Sequence, residues 1–247
     1  MRMTAVVGTR NDGYGGHYPD RRFIFSIESL IHYFDEVVVV DWNSSGETMM
    51  DKNRNFISKT GKIKEVVVTR EDLENVSLSV GDIFPESYVK NIGLRRSSND
   101  WVALTNPDIC LIDWFSINRD LSLNKLYVSP RKNTWTYVLY EKFQPREFMS
   151  HLLFNHNSFE EEQSANFQFA HKHLWNKIRG LEESNFIDTD CTLKADFYAQ
   201  GTELVDHFPV IHLSHNTNSN FFIPQSGMTN NTENWGLPFY DFNTRFW

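Results

Sequence analysis

Apolar residues fall in short runs divided by polar turns, and two periodicities alternate through the first half of the chain. Thr4 to Thr9 (TAVVGT) is β-rich and ends in glycine and polar residues. Arg21 to Phe34 sets Phe23, Ile27, Leu30, Ile31 and Phe34 at helical spacing. Glu36 to Thr48 opens with a run of valines and breaks at Asp41 into a turn-rich loop. Lys62 to Thr69 predicts a third strand and Asp100 to Asn106 a fourth. Between them Glu86 to Ser98 predicts a helix with Tyr88, Ile92 and Arg95 or Arg96 on successive turns. Short apolar strands without in/out alternation, joined by helices, predict an α/β fold: a Rossmann-like, mostly parallel sheet with helices on both faces.

The second half is less regular. Asn124 to Trp135 and Thr136 to Phe143 look like strands, and His171 to Ser184 like a helix closing at Gly180. Pro209 to Asn216 looks like a late strand carrying His212 and His215. The tail from Asn218 to Trp247 is rich in Asn, Thr, Gly and aromatics, and Trp235-Gly236 within it either folds over a site or packs on the surface. With no internal repeat and no low-complexity linker, residues 1–247 are expected to form one domain with an ordered tail, 218–247.

Composition changes this picture in three places. The net charge of −8 argues against a nucleic-acid coat, which needs a basic stripe. Aromatics at 15% point to a well-packed interior, with the tryptophans expected mainly in the core. Two cysteines, Cys110 and Cys191, form no CxxC pair. Together with an N-terminus that enters a strand at once and no long apolar run, they lead to the expectation of a cytoplasmic protein without a transmembrane segment.

Familiar nucleotide motifs are missing: no GxGxxG follows the first strand, and neither GxxxxGK[ST] nor HExxH occurs. The chemistry instead gathers at strand ends, where open parallel sheets bind ligands. These ends carry Thr9, Arg10, Asn11 and Asp12, then Asp41, Asn43, Ser44 and Ser45, then Asn106 and Asp108. Asp41 is either a turn-capping acid or a carboxylate for a ribose or base. Asn106-Pro107-Asp108 is either a β-turn or a pair of hard oxygen ligands for Mg²⁺ or Mn²⁺ shared with a diphosphate. His212 and His215, three apart on a strand, do not share a face, which argues against a two-histidine zinc site.

Taken in order, VVGTRND, VVVVDWNSSGET and YVKNIGLRRSSNDWVALTNPDI resemble the family A (GT-A fold) glycosyltransferases, which use nucleotide-sugars. Lys90-Asn91-Ile92-Gly93 resembles the family's A-x-N-x-G helix, and Asn106-Pro107-Asp108 stands at its DxD metal motif with an amide for the first acid. Gly180-Leu181-Glu182-Glu183 and Asp188-Thr189-Asp190 resemble the acceptor-side segment, with Ile187 in place of an expected Glu.

The resemblance implies a single GT-A-type domain. Residues 1–113 would form the nucleotide-binding half and 114–217 a less regular acceptor half. Asp41 would contact the nucleoside, with Thr9, Arg10 and Asn11 nearby. Lys90, Asn91 and Arg95 would serve the donor, with Lys90 or Arg95 offsetting phosphate charge. Asp108, with Asn106 and His212, would hold Mn²⁺ or Mg²⁺, and His215 stands behind His212. Asp188 or Asp190 would be the general base of an inverting transfer. The donor would be a nucleoside-diphosphate sugar such as a UDP-sugar, and the acceptor a glycan, glycoprotein or other hydroxyl compound. Two alternatives are a nucleotidyltransferase of related fold and a catalytically silent nucleotide- or sugar-binding module.

Overall fold

A run of valines offers no polar position to face water, so the strand they build must be covered on both sides. The structure is a computed structural model describing residues 1–13, 18–76, 84–111, 121–134, 161–181, 183, 201–204, 210–213 and 231–247. In it Val37 and Val39 of β2 (Glu36–Trp42) join one core and Val38 and Val40 the other. β2 pairs in parallel with β1 (Met3–Thr9) and β3 (Ile63–Val68), and β1 pairs in parallel with β4 (Trp101–Thr105).

One face of this block is covered by α1 (Pro19–Tyr33), which buries Phe23, Ile27 and Leu30, and by Met49 and Met50 of α2 (Met49–Asn53). The short α3 (Arg70–Asn75) follows β3 and starts at a capping box between Thr69 and Asp72. The other face is covered by α4 (Glu86–Arg96), through Val89 and Ile92, and by α5 (Lys172–Ile178), through Leu174, Trp175 and Ile178. Trp175 is fully buried and its indole N–H donates to the Val102 carbonyl at 3.1 Å, as expected of a core tryptophan.

Beyond β4 the sheet turns mixed. β5 (Ile109–Leu111), β6 (Leu126–Thr134), β7 (Glu161–His171), β8 (Thr202–Leu204), β9 (Val210–Leu213) and β10 (Asn243–Phe246) complete the order β10-β3-β2-β1-β4-β7-β6-β9-β5, with β8 beside β6. β7 runs antiparallel to both β4 and β6, and β10 antiparallel to β3. The sequence pattern did not foretell β5, β7, β8, β10, α2 or α3. β7 (EEQSANFQFAH) reveals itself only near its end, where Phe167 and Phe169 enter one core and Ala170 the other. The segment Thr136–Phe143 lies outside the described residues.

Gly93 brings α4 onto the sheet. A Cβ there would meet Val6 Cγ1 at 2.3 Å and Val40 Cγ2 at 3.0 Å. Gly93→Ala would gain about 1 kcal/mol of helix propensity, but overpacking a close helix–sheet contact costs about 1–3 kcal/mol or more. A net loss of roughly 1–2 kcal/mol is expected, read as a lower urea midpoint at constant m-value. A midpoint equal to or above wild type would mean that the helix can lift without cost.

Candidate active site at the carboxyl ends of the parallel strands

Strand register sets the first part of the site. Thr9 lies beside Asp41 across β1–β2, and Val7 beside Thr105 across β1–β4, so the loops after β1, β2 and β4 leave the same edge of the sheet. Asp41 is 1% exposed. Its carboxylate accepts the Ser44 hydroxyl at 2.6 Å and the Ser44 amide at 3.3 Å. Ser44 Oγ in turn accepts the Asn11 amide at 2.7 Å, and Asn11 Nδ2 donates to the Glu47 carbonyl at 2.9 Å. Asn43 takes up the left-handed conformation that the turn requires (φ 51°), which an asparagine tolerates. Burial pushes the Asp41 carboxyl up to about 6; the Ser44 hydrogen bonds oppose the rise, the Glu65 charge adds to it and the Arg245 charge opposes it. Asp41 thus caps its own turn. Arg10 pairs with Asp12 at 2.6 Å, and its guanidinium lies 5.8 Å from the centroid of the Phe84 ring.

α4 supplies the second part. Lys90 is 1% exposed, its ammonium 2.6 Å from Glu86 Oε1 and donating to Asn106 Oδ1 at 2.6 Å. The Glu86–Lys90 spacing of four was legible in the sequence as a helix-surface pair, but the buried contact with Asn106 was not.

Asn106-Pro107-Asp108 supplies the third. It is a turn: the Ile109 amide donates to the Asn106 carbonyl at 3.2 Å. The turn feeds β5, whose register with β9 sets Ile109 beside His212 and brings Asp108 Oδ2 to 3.5 Å from His212 Nε2. His212 Nδ1 lies 2.9 Å from Asn133 Oδ1 on β6. That oxygen can only accept, so Nδ1 carries the proton and Nε2 faces Asp108. Asn133 had no signal in the sequence, because the β6–β9 pairing that delivers it spans 79 positions.

Three of the expected site residues have protein partners of their own. The Asn106 amide oxygen accepts the Lys90 ammonium at 2.6 Å. Arg95 does not face the strand ends. It lies more than a helical turn past Lys90, donates to the Trp235 carbonyl (3.1 Å) and the Glu233 carbonyl (3.1 Å), and sits 3.7 Å over the Trp235 ring.

Asn91, the third, is wholly buried and engaged in structure. It accepts the Leu181 amide at 2.9 Å and donates to the Leu181 carbonyl at 2.8 Å and to Glu183 Oε1 at 3.1 Å. Gly180 (φ 66°) and Gly236 (φ 65°) close around it; a Cβ on Gly180 would meet Asn91 Oδ1 at 2.3 Å, and one on Gly236 would meet the Asn91 carbonyl oxygen at 2.6 Å. Trp235, buried to 3%, packs against the α4 side of the core.

Asp188, Asp190 and His215 lie outside the described residues. Among the described residues no group of three or more His, Cys, Asp or Glu gathers around one point, and no helix is long and apolar enough to cross a membrane.

No protein-family profile matches the chain, and no curated protein matches it by sequence. Solved structures do resemble it. GalNAc-T7 with UDP, GalNAc and Mn²⁺ superposes with a TM-score of 0.57 at 12% identity, over 87% of this chain and 44% of that one. S. aureus TarS 1–349 in complex with UDP-GlcNAc gives 0.49 at 15% identity, over 90% and 62%. A longer S. aureus TarS structure gives 0.47 at 14% identity, over 87% and 37%. The chain therefore spans between 37% and 62% of the lengths of these three solved chains. At 12% identity the likeness to GalNAc-T7 speaks to architecture: the chain has the GT-A fold.

Proposed function

We propose that the protein is a glycosyltransferase, moving a sugar from a nucleoside-diphosphate sugar to a hydroxyl acceptor. The observation that carries the proposal is the meeting of Asp108 with His212 at the strand edge that also bears the Asp41 loop and Lys90. A carboxylate set 3.5 Å from an imidazole nitrogen whose other nitrogen is held by Asn133 fits one divalent cation, Mn²⁺ or Mg²⁺. Asp108 and His212 would hold it, without Asn106. Bound there, the ion would act as a Lewis acid for the departing diphosphate.

The remaining roles belong to the chain's own groups. Lys90, fixed between Glu86 and Asn106, would lend its ammonium to the diphosphate in competition with the Glu86 carboxylate. The Asp41 loop would receive the nucleoside, since each carboxylate oxygen keeps a further lone pair beyond its bond to Ser44. Asp188 or Asp190 would take the acceptor's hydroxyl proton while its oxygen bonds to the anomeric carbon. The sugar–diphosphate bond breaks as this happens, and its electron pair leaves with the nucleoside diphosphate, inverting the centre. UDP-sugars are the first donors to test.

Incubation with a panel of nucleoside-diphosphate sugars and Mn²⁺ should release nucleoside diphosphate in the presence of a hydroxyl acceptor. Release of pyrophosphate would move the protein to the nucleotidyltransferases, and binding without turnover to the silent modules.

A pH dependence follows from Asp41. With the folded pKa raised to about 6 from 3.8, the folded state holds more protons than the unfolded one between those values. Fold stability from this group therefore falls as pH rises from about 4 to about 6. Affinity runs the other way, because the carboxylate form is the acceptor. UDP binding should weaken about tenfold from pH 7 to pH 5 as the ionised fraction drops, and Asp41→Asn should flatten that profile. An unchanged profile in Asp41→Asn, from calorimetry across the range, would take Asp41 out of the nucleoside contact.

A further inference from the structure

The loop that follows Asp41 is held at both ends, and its far end is held by the last strand. β10 pairs with β3 so that Arg245 lies across from Glu65. The guanidinium forks three ways: Nη2 to Glu65 Oε2 at 2.7 Å, Nη2 to Thr48 Oγ1 at 3.1 Å, and Nη1 to both Asp51 oxygens at 3.0 Å. Thr48 and Asp51 form the start of α2, where Thr48 caps the helix by accepting the Asp51 amide at 3.1 Å. One residue upstream, the Glu47 carbonyl takes Asn11 Nδ2, and the Asn11 amide leads through Ser44 to Asp41. Between these anchors Ser45, Gly46 and Glu47 are exposed.

We infer that Arg245 is a positioning residue for the Asp41 loop, fixing through Thr48 and Asp51 the far end of the segment that would receive the donor's nucleoside. Only the word "nucleoside" in this inference rests on the glycosyl-transfer proposal; the clamp itself stands on the hydrogen bonds. Three features suit Arg245 to the task. A planar fork reaches a carboxylate, a second carboxylate and a hydroxyl at once, which a lysine cannot. Glu65 is fully buried and also accepts the Trp247 indole N–H at 2.9 Å, so the guanidinium is pinned from the sheet side. Asp51 is partly exposed, so the clamp ends at the surface next to the loop.

Arg245→Gln alone would leave the Glu65 carboxylate buried without its cation and could unfold the edge. The double variant Arg245→Gln/Glu65→Gln removes both charges and keeps two amides of similar size. Asp51→Asn cuts a single limb of the fork. In ligand-free protein, native-state hydrogen exchange should accelerate at least tenfold at the Asn11 and Ser44 amides in the double variant, and less in Asp51→Asn, with Val38 and Val39 unchanged. In the same variant UDP affinity should fall about tenfold, with the loss in donor KM rather than in kcat.

Unchanged exchange at Asn11 and Ser44 in a folded double variant would overturn the clamp, whatever the protein binds. Accelerated exchange in a protein whose wild type binds no nucleoside diphosphate would uphold the clamp and overturn the donor proposal instead. Accelerated exchange with unchanged UDP affinity would overturn the positioning role.

Discussion

Asp108→Asn is expected to remove cation-dependent UDP binding and to lower turnover by roughly 10²–10³-fold, since a metal-held diphosphate draws several kcal/mol from its cation. The fold should be retained. Asparagine is as good a turn residue as aspartate, and the turn's own bond, Ile109 amide to Asn106 carbonyl, uses only backbone. What the substitution deletes is the negative charge 3.5 Å from His212 Nε2. A plain carboxylate–imidazolium pair would behave differently: its loss would lower stability at acidic pH and leave Mn²⁺ titrations untouched. Electron paramagnetic resonance of free Mn²⁺ separates the two cases, and an Asp108→Asn protein that binds Mn²⁺ as wild type does would end the metal assignment. Asn106→Asp is a sharp companion. It would place a second carboxylate against Lys90, so it should strengthen that ion pair before it strengthens any metal site.

Asn91→Ala is expected to cost about 2–4 kcal/mol, the range for breaking a buried hydrogen-bond network. For a chain of this size that is about 4–8 °C in melting temperature. The amide serves the Leu181 N–H, the Leu181 carbonyl and Glu183. The carbonyl keeps a bond from Asn231, but the buried Leu181 N–H loses the acceptor Asn91 gave it. Because Asn91 is occupied by structure, UDP affinity measured well below the melting point should stay within about twofold of wild type. A melting temperature within 2 °C of wild type together with lost UDP binding would reinstate the donor-contact role first expected for it.

The parallel block was legible because physics leaves few options for it. A strand buried on both faces must be apolar at consecutive positions, and β1, β2 and β4 largely are, as is the Val66–Val68 half of β3. α1 and α4 declare themselves by spacing. The placement of polar residues at the carboxyl ends followed from the topology alone. What stayed hidden depends on long-range pairing: Asn133 reaches His212 only because β6 and β9 adjoin, and β10 is a four-residue strand with three exposed positions. The packing partners of Arg95 and Asn91 stayed hidden for a local reason. Helix periodicity gives the face of a residue but not its height above the site, and α4 runs back along the sheet. Its carboxyl end meets Lys64 near the start of β3, where the Lys64 ammonium donates to the Arg96 carbonyl at 2.8 Å.

Glu65 and Trp247 are separated by 182 positions. At ribosomal rates of about 5–20 residues per second, β3 emerges roughly 10–40 s before the strand that neutralises it. Until then β3 is the edge of the growing sheet, and its acid has no guanidinium. In the finished fold burial raises the Glu65 pKa, while Thr48, the Arg245 charge and the Trp247 indole oppose the rise. Docking of β10 brings two of those opposing groups, Arg245 and Trp247, together. The strand that closes this edge of the sheet thus carries the partners of the acid it covers, and an edge without it would leave Glu65 with no cation.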